Sequence, residues 1–215
     1  MTVADVLPLD EPLREQSRLR GLADARPASV LEVSTLVSMG VLAGLLTAFV
    51  HLNLRVPGHH ILFAVFPMAL GLALVPRRRA GLLMALSALG CTGGLRLAGV
   101  GVGGVGAMTS LLATGPLLDL ALRWGRGGTR LYVAFVAAGA VSNALAFVVR
   151  GVAKAFAFQG LAGGRAFGGW WPEAMATYAA AGIAAGLVSA AAWFRLRRRG
   201  WRPGAAGGRT PPDAG

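Results

Sequence analysis

Acidic residues, histidine and cysteine are all scarce in this chain. Nine Asp and Glu stand against 21 Lys and Arg, and no two carboxylates are spaced as a general acid–base pair. The single cysteine, Cys91, lies inside an apolar run, so an internal disulfide is excluded and the residue reads as packing. All three histidines, His51, His59 and His60, fall in one ten-residue stretch. Serines within apolar runs, such as Ser87, Ser110, Ser142 and Ser189, therefore have no histidine in another run to serve as general base, which argues against an intramembrane serine protease. No His-x-x-x-His pair or phosphate-binding Walker loop occurs, and the Gly-x-Gly-x-x-Gly at Gly101, Gly103 and Gly106 follows no strand and reads as a flexible turn. The expectation is a protein that is not an enzyme and carries no cofactor.

A cleavable leader is also not expected. The first thirty or so residues interleave Asp5, Asp10, Glu11, Glu15 and Asp24 with Arg14, Arg18, Arg20 and Arg26, without a continuous apolar core. They read as a cytoplasmic tail with a short amphipathic helix.

What the chain has in abundance is hydrocarbon. Hydrophobic residues make up 55% of it and charged ones 14%, which points to an integral membrane protein. The formal charge of +12 comes in short blocks between apolar runs rather than as a stripe, so nucleic acid is not the expected partner and a bilayer is. Apolar runs at 33–50, 61–75, 80–97, 105–122, 131–149 and 174–194 predict an all-α bundle of six transmembrane helices. The second is the weakest, being short and carrying Pro67.

Counting basic residues in alternate loops places 16 on one side and five on the other. The richer side belongs inside, so both termini are expected in the cytoplasm and the protein in the plasma membrane. The domain reading is a tail over 1–32, a transmembrane domain over 33–195, and a basic, then Pro- and Gly-rich tail over 196–215. Trp124, Trp170, Trp171, Trp193 and Trp201 fall where an interfacial aromatic belt would place them.

Three loops then face outward: the histidine stretch, a glycine-rich turn at 98–104, and a segment over 151–172 aromatic enough to pack as a lid. The first offers Asn53, Arg55, His59 and His60 to a solute, and the third offers Phe158, Gln159 and Trp170. Adjacent His59 and His60, with His51 eight residues back and no carboxylate or thiol beside them, do not match the i, i+4 spacing of a zinc or nickel site, so no metal is expected. A solvated interfacial loop is the plainer alternative.

Small residues recur every fourth position at Gly40, Gly44 and Ala48, and again at Ala181, Ala185 and Ser189, with Gly182 and Gly186 beside them. Such faces let helices approach closely in lipid, either within the chain or against a partner. Asp119, an acid within a predicted span, is expected to be structural, reaching Arg123 one turn away, or else to couple to a cytoplasmic-side partner. Asn143 is expected to hydrogen-bond between helices.

The six spans, the inward termini and the small residues Gly40, Gly44 and Ala48 of the first span together resemble the substrate-binding component of energy-coupling factor transporters. The resemblance covers roughly 33–195. It implies that Gly40, Gly44 and Ala48 dock a transmembrane coupling subunit, that separate cytoplasmic ATPases supply the energy, and that the loop after the first span gates a pocket for a small-molecule micronutrient. Metal-binding relatives use a histidine directly after the initiator methionine; here Thr2 stands there, which turns the expectation from cobalt or nickel to an organic solute. The alternative function is a membrane scaffold or assembly subunit held together by small-residue faces.

Overall fold

The structure, a computed structural model, describes residues 27–50, 60–100, 104–124, 128–158 and 171–198. All regular structure among these residues is helical: α1 Val30–Phe49, α2 Ile61–Leu74, α3 Ala80–Leu97, α4 Val105–Trp124, α5 Gly128–Phe158 and α6 Trp171–Arg198. Five of the six are long and apolar enough to cross a membrane, and α2 is apolar but shorter. The chain is thus a multi-span, all-α membrane protein.

Local chemistry sets the helix ends. Ser29 accepts from the Glu32 N–H while the Glu32 carboxylate accepts from the Ser29 N–H, a reciprocal box that starts α1 three residues before the apolar run. At the far end of α3, Gly99 adopts φ +72°. The Val100 N–H donates to Leu95 and the Gly99 N–H to Arg96, the paired bonds that close a helix on a left-handed glycine.

Cross-helix contacts fix the directions. Gly40 meets Met84 and Gly44 meets Ala88, so α1 and α3 run parallel. Arg96 meets Met108 while Gly81 meets Gly115, Gly106 meets Arg150 while Ser110 meets Ser142, and Gly139 meets Gly182 while Phe135 meets Gly186, so α3, α4, α5 and α6 alternate in direction. These five helices form an arc in the order α1, α3, α4, α5, α6, and α2 packs between α1 and α6 while also touching α3, α4 and α5. Nine of its 14 residues are buried. At 1.5 Å per residue α2 is about 21 Å long, short of a hydrocarbon core of about 30 Å. The run that is weakest as a span is therefore the wedge on which the others pack.

The helix α5 departs from expectation at its end. The segment after Val149 was expected to be a loop, yet α5 continues through Gly151 to Phe158, and α6 begins at Trp171, before the run at Ala174. Gly151 weakens a helix by only about 1 kcal/mol relative to Ala, and the Ala- and Phe-rich stretch after it contains no proline.

Candidate functional site

The alternation sorts the described basic residues into two ends. Arg77, Arg78, Arg79, Arg123, Arg130, Arg195, Arg197 and Arg198 lie at the end where α1 begins, and Arg96, Arg150 and Lys154 lie toward the other.

The arginine-rich end is built for structure. Arg77 pairs with Glu32 at 2.6 Å and donates to the Pro27 carbonyl, tying the start of α1 to the turn after α2. The Asp119 carboxylate of α4 accepts from the Gly81 and Leu82 N–H groups at 2.9 and 3.1 Å. Those donors lie in the first turn of α3, where N–H groups have no partner in their own helix and the helix dipole favours a negative charge. Asp119 thus caps a neighbouring helix. One turn away, Gly115 and Gly81 touch backbone to backbone, an approach that brings the carboxylate within reach.

The opposite half of the bundle carries two sets of polar groups, one between α4 and α5 and one between α5 and α6. Thr114 Oγ1 and Ser142 Oγ lie 2.7 Å apart, both buried, and both also reach the Ser110 carbonyl. Two hydroxyl protons serve three close oxygen pairs, so the three oxygens share their protons in one compact cluster. The Ser110 hydroxyl itself, in a residue only 7% exposed, has no partner. Beside Ser142, Asn143 donates from Nδ2 to the Tyr178 carbonyl at 2.7 Å, the interhelical bond expected of it. Tyr178 in turn accepts at its phenol oxygen from Arg150 Nη1 at 3.0 Å, and its ring packs on Phe147 with centroids 5.0 Å apart.

Helical spacing makes this an ordered file. Arg150, Ala146 and Ser142 are spaced by four on α5 and face Gly106, Ser110 and Thr114, spaced by four on α4. A side chain at Gly106 would meet the Ala146 carbonyl and the Arg150 stem at 3.1 and 3.3 Å, so its absence lets the first turn of α4 lie against Arg150. No family model, curated protein or solved structure matches this chain. Its chemistry is therefore read from these contacts.

Of the residues singled out in the sequence, Asn53, Arg55, His59, Gln159 and Trp170 lie outside the described residues. His60 stands immediately before α2 with its ring edge-on to Phe63, and Phe158 ends α5. Gly40, Gly44 and Ala48 are buried, and α3 of the same chain lies on the two glycines, so in this chain the stripe packs internally. Gly182 and Gly186 likewise meet α5. The file of Arg150, Tyr178, Ser142, Thr114 and Ser110 was not foreseen. Its signal was present as Ser110 and Thr114 one turn apart, and Ser142 and Arg150 two turns apart, on runs that are otherwise hydrocarbon.

Proposed function

We propose that this chain is the solute-capture subunit of an uptake transporter, receiving a small molecule at the end of the bundle opposite the arginine-rich end. The observation that carries the reading is the pair of polar clusters in that half of the bundle, Arg150, Tyr178 and Asn143 between α5 and α6, and Ser142, Thr114 and Ser110 between α4 and α5. Polar groups inside a membrane bundle are costly and tend to mark solute or ion paths. The segregation of arginines supports an outward orientation for that end, because basic residues collect on the cytoplasmic side. In this reading the plasma membrane is the site of action, Asn53, Arg55, His59 and His60 together with Phe158, Gln159 and Trp170 contribute from the flanking segments, and ATP-driven subunits supply the energy through a membrane coupling partner. No step of bond making or breaking is assigned to the chain.

A second reading, a scaffold or assembly subunit, has one observation in its favour. Gly90, Gly93 and Gly94 on α3 have nothing packed within 4 Å of where a side chain would begin, and open glycine faces are places where helices meet in lipid.

The two readings separate on a simple experiment. The full chain is purified in mild detergent and heat-denatured, and the released small molecules are identified by mass spectrometry. Capture predicts one compound approaching stoichiometric amount; repeated release of nothing, with the chain held in a stable protein complex, selects the scaffold.

A further inference from the structure

We propose that Arg150 is an oxyanion-recognising residue and that the ligand of this site carries a carboxylate or phosphate group. The inference rests on the capture reading for its preferred source of ligand, but the chemistry is read from the site itself.

Arg150 is positioned rather than free. Its stem lies over Gly106 of α4, and its Nη1 donates to the phenol of Tyr178 on α6. Tyr178 is itself only 8% exposed and is held by the Asn143 amide on its carbonyl and Phe147 on its ring. Arg150 is exposed, with its stem against α4 and its guanidinium held by one hydrogen bond to α6 before any ligand arrives, which reduces the ordering cost of binding. The phenol takes one N–H, leaving most of the donors of the fork, whose planar geometry matches a carboxylate or phosphate.

No described acid answers it. Glu32 and Asp119 are committed at the other end. Glu173 lies five positions before Tyr178, about 140° around α6 from it. One turn deeper along the face of α4 that Arg150 covers, the buried Ser110 hydroxyl lacks a partner. An unpaired buried hydroxyl is destabilising, and a ligand oxygen reaching that depth would relieve it. The arrangement is an exposed charged group with a buried neutral hydroxyl one turn of α4 beneath it.

The oxyanion can come from a soluble molecule or from the headgroup of an anionic lipid, and the test separates these. Wild type, Arg150→Gln, Arg150→Lys, Tyr178→Phe and Ser110→Ala are purified as full chains, and retained small molecules are quantified by mass spectrometry. In parallel, each is placed in nanodiscs of phosphatidylcholine with or without phosphatidylglycerol, and thermal unfolding is followed. The expected result is an anionic compound whose occupancy falls at least tenfold in Arg150→Gln, less in Arg150→Lys, and severalfold in Tyr178→Phe and Ser110→Ala. Stabilisation by phosphatidylglycerol that disappears in Arg150→Gln, with no retained solute, supports the oxyanion chemistry, assigns it to lipid and ends the capture reading. A neutral or cationic retained compound overturns the oxyanion assignment and leaves capture standing. So does an anion held equally by wild type and all four variants. If Arg150→Gln does not fold, Arg150→Lys and Tyr178→Phe carry the same comparison, and the absence of any solute or lipid effect refutes both proposals.

Discussion

Asp119 shows how one side chain can define a helix junction. Its two oxygens satisfy two N–H groups in the first turn of α3, groups that in a membrane would otherwise compete for scarce water. Replacing it with Ala leaves both donors unmet, and each unmet buried donor costs about 1–3 kcal/mol, less where interfacial water can reach it. Asp119→Ala is therefore expected to lower the unfolding free energy by about 1–3 kcal/mol, and Asp119→Asn by about half as much because it keeps one acceptor. Titration with denaturing detergent, followed by circular dichroism, measures the difference. Equal stability of all three proteins would remove the cap from the account. The sequence pointed to Asp119 as structural, but its partner is the backbone of another helix, and no spacing within one helix can show that.

Between helices, the decisive contacts are those of glycine. A Cβ on Gly81 would collide with the Gly115 backbone, and one on Gly139 with the Gly182 backbone, whereas Gly90 and Gly94 stand in open space. The same substitution must then have opposite signs. Gly81→Ala and Gly139→Ala should destabilise by about 1–3 kcal/mol through overpacking, while Gly90→Ala should stabilise by up to about 1 kcal/mol through helix propensity. Thermal unfolding of the three variants side by side decides the matter, and a common sign would contradict the packing. The positions of the helices were legible because long apolar runs are forced by the bilayer. Which glycine faces which helix was not, because glycine is frequent here and its spacing says nothing about the neighbour. The central place of α2 was half-legible: Ile61–Leu74 contains no charged or hydrogen-bonding side chain, and a helix apolar all round is one surrounded by protein or lipid. Its shortness drew attention to whether it spans, when burial by neighbours was the stronger message. Residues 151–158 lie beyond the apolar run that ends at Val149, yet neither Gly151 nor Lys154 ends a helix.

At the scale of the molecule, everything functional depends on which way the bundle points. The antiparallel succession from α3 to α6 places Arg78 and Glu173 at opposite ends. Among the described residues Arg77, Arg78, Arg79, Arg123, Arg130, Arg195, Arg197 and Arg198 lie toward the end of Arg78, against Arg96, Arg150 and Lys154 toward the other, and such a bias orients a protein with the richer side in the cytoplasm. Because Cys91 is the sole cysteine, its replacement by Ala yields a background in which Arg78→Cys and Glu173→Cys each report one face. A membrane-impermeant maleimide applied to intact cells should label the cysteine at 173 and reach the one at 78 only after lysis. The opposite pattern would put Arg150 and the polar file on the cytoplasmic side, where an incoming solute could meet them only after crossing the membrane. Capture from outside would then be impossible, while the cap at Asp119 and the glycine contacts, which depend on packing and not on direction, would stand unchanged.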